Sequence, residues 1–465
     1  MKKIIFYLSE DAVDFDMDAP TCYEKLYDKF VTGGGGNVGN KFFLTATKNY
    51  LKDEADFEHT LFYSNRKKNF CICDYSIDEI NERFRAVVLP QANIFSATDM
   101  AIEHMKGFTE VINKLEIPVY VTGVGAQAQD YDSIYELYYS IRDVVTEFCK
   151  AVYRTGGEFS LRGFFTKEFF DMLGFKSAVV TGCPSIYQVG REFQICERKV
   201  SEIEFRPVIN GYASLLRHNK IYDAFIKYNA VYLDQDEFIG LLYNSKMFED
   251  LKLDDIELQK YVKKYSLNAM KIFAKDKVKL FYDIPIWQDY LKKNNFNFSF
   301  GKRIHGNIIS IVTGIPAVVM VHDSRTRELA EYFSIPSVSN LNRYNNLYEM
   351  YLEADYSSFN KDFKEKYDNF NRFLIEHGLR KVNLSGQEND IKNLDKYTYP
   401  IKTNEVVFQN LEQRLEDKKY LKEEILYIGR CIKIAPAQIK KQLDKEYYRL
   451  KYFNESHKKK VQNKG

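Results

Sequence analysis

The amino-acid sequence predicts a two-domain α/β protein, with two doubly wound parallel sheets facing a cleft and a lysine-rich helical extension at the C-terminus. Three observations lead there. At 465 residues the chain exceeds what one hydrophobic core comfortably holds. Short apolar runs alternate with longer stretches of helical periodicity, the pattern of strand–helix–strand units in a parallel sheet. That pattern runs to about residue 186, lapses over 187–205 where charge is mixed and no period is clear, and restarts at Arg206.

In the first half, the opening residues 1–10 read as a strand. Arg85-Ala-Val-Val-Leu-Pro90 is a second, buried strand with Gln91 just past its carboxyl end, and a helix closes over 111–115. Pro118-Val-Tyr-Val-Thr122 is the next strand, 133–153 a helix, 158–162 a strand, 166–173 a helix stopped by Gly174, and 178–181 a last strand. The second half repeats the scheme with strands at 206–211, 230–234 and 278–282. A short helix at 285–293, a strand or turn at 296–300, a helix at 304–312, a strand at 317–321 and a helix at 325–333 complete it. The expected domains are therefore 1–200, 201–345 and a helical extension over 346–465. Ligands of such sheets bind beyond the carboxyl ends of the strands, here in the cleft between the halves.

Composition narrows the function classes. A formal net charge of +2 gives no global field for recruiting nucleic acid or an anionic lipid surface. The seven cysteines are scattered without a CxxC pair, as in reduced intracellular proteins rather than disulfide scaffolds or zinc sites. No apolar stretch reaches the roughly 18 residues a membrane span needs. The N-terminus lacks a full signal-peptide core and cleavage site, so a cytosolic location is expected. The Lys-rich amphipathic segment over 420–452 can pack back on the first domain or lie against an anionic membrane. Oligomeric state is left open.

Five clusters carry chemistry. Gly33-Gly-Gly-Gly-Asn-Val-Gly-Asn40 precedes a helical run, where bare backbone and a helix N-terminus favour an anion. It is neither a dinucleotide fingerprint nor a P-loop, because no Lys-Ser/Thr closes it. Gly123-Val-Gly-Ala-Gln127-Ala-Gln129 follows a strand and offers amides to hydroxyls. Arg162 ends a strand and can grip a carboxylate or phosphate with two parallel bonds. Gly301-Lys-Arg303-Ile-His305-Gly306-Asn307 places a guanidinium and an imidazole at a helix start, where free N–H groups favour an anion. His322-Asp323-Ser-Arg325-Thr-Arg327 follows another strand, where Asp323 or Ser324 can also serve simply as the helix cap.

Taken in order, these residues resemble the polysaccharide pyruvyltransferase family. The resemblance rests on Gly36-Asn37-Val-Gly39, Gly123-Val-Gly-Ala-Gln127, Ser160-Leu-Arg162 with Leu173-Gly174, and Thr181-Gly-Cys-Pro-Ser185. It is strongest at Arg303-Ile-His305-Gly306 with Gly314-Ile-Pro-Ala317 and His322-Asp323, and it covers roughly residues 33–340. It implies a GT-B-like pair of Rossmann-like domains, phosphoenolpyruvate as donor, and no metal or other cofactor. The implied product is a pyruvate ketal on a sugar of a cell-surface polysaccharide or its lipid-linked precursor. Arg162, Arg303 and His305 match the donor-binding and catalytic positions, with His305 as the acid. Substrate-binding positions are expected at Gly36, Asn37, Gln91, Gln127, Ser185, Gly306, His322 and Asp323. The chain departs from the pattern at Asn40 and Cys183, where many members carry an acid, and in its extension beyond about residue 400, which has no counterpart. Two other readings fit the same architecture: a nucleotide-sugar-dependent glycosyltransferase, and a degenerate polysaccharide-binding scaffold.

Overall fold

The computed structural model describes residues 2–7, 38–51, 54–64, 69–72, 75–197, 199–238, 255–281, 284–380, 411–416 and scattered positions over 420–452. The first sheet contains β1 (Lys3–Tyr7), β2 (Ala55–Ser64), β3 (Asn69–Ile72), β4 (Phe84–Pro90), β5 (Val119–Val124), β6 (Phe159–Leu161) and β7 (Val179–Val180). Its order is β3-β2-β1-β4-β5-β6-β7, and only the β2–β3 pair is antiparallel. The second sheet contains β8 (Pro207–Asn210), β9 (Val231–Asp234), β10 (Val278–Leu280), β11 (Phe298–Gly301), β12 (Ala317–Met320) and β13 (Ser337–Val338), all parallel, in the order β10-β9-β8-β11-β12-β13. Both sheets start in the middle and wind outward twice, so the fold is the pair of Rossmann-like units expected.

Strands β4, β5, β8 and β9 are buried along nearly their whole length because helices cover both faces, which is why they read as unbroken apolar runs. The helix Ile134–Arg154 shows the complementary pattern. Its Leu137, Ile141, Val145, Phe148 and Val152, spaced three or four apart, face the first sheet and are buried. Phe148 meets Phe95 and Phe159 at ring distances of 6.0 Å, so this aromatic-rich chain uses its phenylalanines as ordinary core.

The helix Ser324–Phe333 of the second half docks on the first. Ser324 Oγ accepts from the Ala128 amide at 2.9 Å and donates to the Ala126 carbonyl at 3.0 Å, while Tyr131 donates to Glu331 at 2.7 Å. Beyond β13, the helix Ser357–Glu376 returns across both halves. Phe370 stacks on Tyr187 at 4.8 Å and meets Tyr50 edge-on at 5.1 Å. Its Asn369 donates to the Val180 carbonyl at 2.7 Å. In the Lys-rich extension, Leu411, Leu415 and Tyr420 are buried, Lys445 pairs with Asp130, and Tyr452 packs on Tyr135 and Tyr138. The described part of the extension thus lies against protein. Among the described residues, no helix is long and apolar enough to cross a membrane.

Candidate active site between the two sheets

Parallel strands bring all their carboxyl ends to one edge, and the chemistry-bearing residues collect there. Arg162 follows β6, Tyr212 follows β8, Gln235 follows β9, Lys302 and Arg303 follow β11, and His322 follows β12. All six line one small pocket of about 50 Å³ that also takes in His305.

Arg162 is 2 % exposed, an unusual place for a guanidinium. Its Nε donates to the Gly123 carbonyl at 2.7 Å, and its guanidinium lies 5.4 Å from the ring centre of Phe43. Its Nη2 is buried and has no hydrogen-bond partner among the described residues. Gly123 makes this arrangement possible. Its φ is +67°, and a Cβ there would fall 2.5 Å from Phe43.

On the facing side, Arg303 is the N-cap of the helix Ile304–Val312. Asn210 Oδ1 accepts from the Arg303 amide at 3.1 Å, and Asn307 donates to the Gly301 carbonyl at 2.9 Å and accepts from Asn210 Nδ2 at 3.0 Å. These buried amides fix the start of the helix at the edge of the pocket, which Ile304 and His305 line. The Arg303 side chain is more engaged than sequence reasoning expects: it pairs with Asp236 at 2.6 Å and lies 4.2 Å over the Tyr212 ring. Arg325 is likewise held by Asp323 at 2.6 Å. Lys302 has no ion-pair partner among the described residues, and burial pulls its ammonium below the usual lysine range. Of four cations lining the pocket, two are compensated by Asp236 and Asp323, and Arg162 and Lys302 are not. A site with about two uncompensated charges suits a multiply charged anion.

His305 is 6 % exposed. Its Nε2 is 3.7 Å from Cys183 Sγ, and its ring lies 6.3 Å from the Phe43 ring. Burial, then the charges of Arg162 and Arg325, hold the imidazole well below its ordinary range, so it is neutral at pH 7.

The other expected positions divide. Gln91 and Gln127 line an adjoining cavity of about 450 Å³ that shares Asn40, Ala92 and Asn93 with the small pocket. His322 lines the small pocket, edge-on to Tyr212 at 5.5 Å. Asp323 is the helix cap: its carboxylate accepts from the Thr326 amide at 2.9 Å and holds Arg325, so it orients a cation rather than meeting the pocket itself. Ser185 is fully buried and bonded to Cys183 Sγ at 3.0 Å, one layer beneath His305. Gly306 lies in the first turn of the helix, buried. Gly36 and Asn37 lie outside the described residues. Sequence reasoning quoted Lys302 without singling it out, and it offered Arg325 or Arg327 to an anion. Lys302 and Arg325 line the pocket, and Arg327 instead pairs with Glu331. Sequence reasoning missed Gln235 because nothing in Asp234-Gln-Asp-Glu237 marks the amide out.

Glu328 joins the halves behind Arg162. Its buried carboxylate accepts from the Thr166 amide at 3.1 Å, and burial pushes its pKa from 4.5 up to about 8. In the unfolded chain the same group ionises near 4.5, so the folded state binds an extra proton between these limits. The stability this contributes is complete below 4.5 and is lost as pH rises through about 8. The melting temperature of wild type is therefore expected to fall between about pH 4.5 and pH 8, and Glu328→Gln, which keeps an acceptor for Thr166, should flatten that decline. Parallel melting curves for the two proteins would refute the assignment.

These features define a two-lobed α/β protein with a cation-lined pocket between its lobes. The sequence model of the polysaccharide pyruvyl transferase family matches residues 37–324, well over half of the chain, and the chain belongs to that family, a family of transferases. No curated protein matches the sequence. Solved structures with a similar course of the chain include S. aureus MnaA in complex with UDP, with a TM-score of 0.40 and 10 % identity over 82 % of this chain and 97 % of that one. A putative UDP-N-acetylglucosamine 2-epimerase from Listeria monocytogenes gives 0.35 and 9 % over 79 % and 90 %. The glycosyltransferase SnogD from Streptomyces nogalater gives 0.31 and 10 % over 80 % and 96 %.

Proposed function

We propose that the protein transfers the enolpyruvyl group of phosphoenolpyruvate to two hydroxyls of one sugar in a polysaccharide or its precursor, forming a pyruvate ketal and inorganic phosphate. One observation carries this reading: Arg162, Lys302, Arg303 and His305 line a single pocket, and it opens beside a cavity of sugar-binding character. The donor bears a carboxylate and a phosphate, which uncompensated cations and helix N–H groups bind well. The neighbouring 450 Å³ cavity offers amides from Asn40, Gln91, Asn93 and Gln127 above the apolar side chains of Phe43, Leu44 and Ile94. Amides for hydroxyls and an apolar floor for a ring face make a sugar site.

The chemistry then runs as follows. A proton from His305 adds to the methylene carbon of the donor, which becomes the methyl group and leaves the central carbon electrophilic. A first sugar hydroxyl adds to that carbon, phosphate departs with its bridging oxygen, and the second hydroxyl closes the ketal. Of the two hydroxyl protons released, one restores His305 and the other leaves with phosphate. Arg162 and Lys302 oppose the charge of the departing phosphate. Incubation with phosphoenolpyruvate and candidate glycan acceptors should release phosphate only when an acceptor is present. Calorimetric saturation by a UDP-, GDP- or CMP-sugar but not by phosphoenolpyruvate would overturn the proposal.

A further inference from the structure

The loop after β9 places a neutral amide among the charges of the pocket. Asp234 turns this loop by accepting from the amides of Glu237 at 3.3 Å and Phe238 at 2.9 Å, and Asp236 is committed to Arg303. Between them Gln235 projects into the small pocket, 1 % exposed, and its Nε2 is buried with no hydrogen-bond partner among the described residues. A buried N–H without an acceptor is costly, and proteins keep few of them. The Gln235 amide also occupies the space over the first turn of the helix Ile304–Val312. A Cβ on Gly306 would stand 2.6 Å from Gln235 Nε2 and 2.8 Å from Asn210 Cγ. The glycine that ends Arg303-Ile-His305-Gly306 is thus explained by its neighbour: a side chain there would expel the amide.

We propose that Gln235 is a donor-binding residue, its Nε2–H group bonding an anionic oxygen of the donor beside the helix N-terminus, and that Gly306 is small to make room for it. The inference rests on phosphoenolpyruvate being the donor. An amide suits this position because Asp234 and Asp236 flank it. A cation here would be drawn to those carboxylates, whereas an amide nitrogen keeps its hydrogens for the ligand. Arg162 Nη2, also unpartnered, faces the same pocket from the opposite half, so the ligand would bridge the two halves through one donor from each.

The test is calorimetric titration of the full-length protein with phosphoenolpyruvate and, separately, with inorganic phosphate. Gln235→Leu keeps the size and loses the donor, and should weaken phosphoenolpyruvate about tenfold, the loss of one hydrogen bond to a charged group. Gln235→Glu puts a carboxylate against the ligand and should weaken it further. Gln235→Leu should melt no lower than wild type, since it loses no partner. Gly306→Ala should weaken binding as well, because its Cβ would crowd both Gln235 Nε2 and Asn210. Wild-type affinity in Gln235→Leu overturns the role of Gln235 while leaving the donor intact. A wild-type protein that binds no phosphoenolpyruvate overturns the donor assignment and this role with it.

Discussion

Arg162→Met is expected to lower kcat/KM for phosphoenolpyruvate by about 10³-fold or more, the scale of losing one preorganised donor at a developing charge. Methionine fills most of the space against Phe43, so the fold should survive, but the pocket keeps only Lys302 as an uncompensated cation. Arg162→Lys should recover little. The native side chain spends Nε on the Gly123 carbonyl and leaves Nη2 for a ligand, and an ammonium on a flexible stem cannot do both. A readout beyond activity separates this role from simple packing. Arg162 is one of the charges holding the His305 imidazole below its ordinary pKa. In Arg162→Met that imidazole should therefore titrate at higher pH, visible by proton NMR of the ring. Turnover within tenfold of wild type, or an unmoved His305 titration, would remove Arg162 from the site.

Much of this architecture is legible in sequence, for a reason visible in particular strands. β4, β5, β8 and β12 are covered on both faces, so their burial writes continuous apolar runs, and a parallel sheet forces their ends to one edge. Clusters such as Ser160-Leu-Arg162 and Gly301-Lys-Arg303 could be placed at that edge before any coordinates. The two-residue strand β13 writes no pattern, and the helix Ser357–Glu376 gives no hint that it returns to the first half, because its partners Tyr50 and Tyr187 are remote in the chain. The same non-locality hid the charge state of the site. Arg303 reads as a free cation until Asp236, 67 residues away, is seen to neutralise it, and nothing local marks Glu328 as buried against Thr166, 162 residues away. The cap of the helix Ser324–Phe333 was legible only as Asp323 or Ser324, and the structure gives it to Asp323, whose carboxylate takes the Thr326 amide.

His305→Gln is expected to cost roughly 10²- to 10⁴-fold in kcat, the usual range for removing a general acid. The structure raises a difficulty for this role. An acid must carry a proton, and burial together with Arg162 and Arg325 keeps this imidazole neutral. The donor itself removes the difficulty. Its negative charges offset the two guanidiniums, so the pKa of His305 rises on binding and the imidazole takes a proton from solvent. Neutral in waiting and charged in the complex, His305 would be armed only when there is something to protonate. The consequence is measurable without turnover. At about pH 8, where a phosphate ester with a second pKa of about 6 is already fully ionised, the donor has no proton to give up. Binding of phosphoenolpyruvate should then draw a proton from the buffer, and calorimetric enthalpies in two buffers of different ionisation heat should differ accordingly. In His305→Gln that difference should vanish, and the affinity at this pH should fall by the share that the coupled protonation contributes. A wild-type protein that binds the donor with no proton uptake, or a His305→Gln variant with undiminished phosphate release, would leave the first proton transfer to some other group.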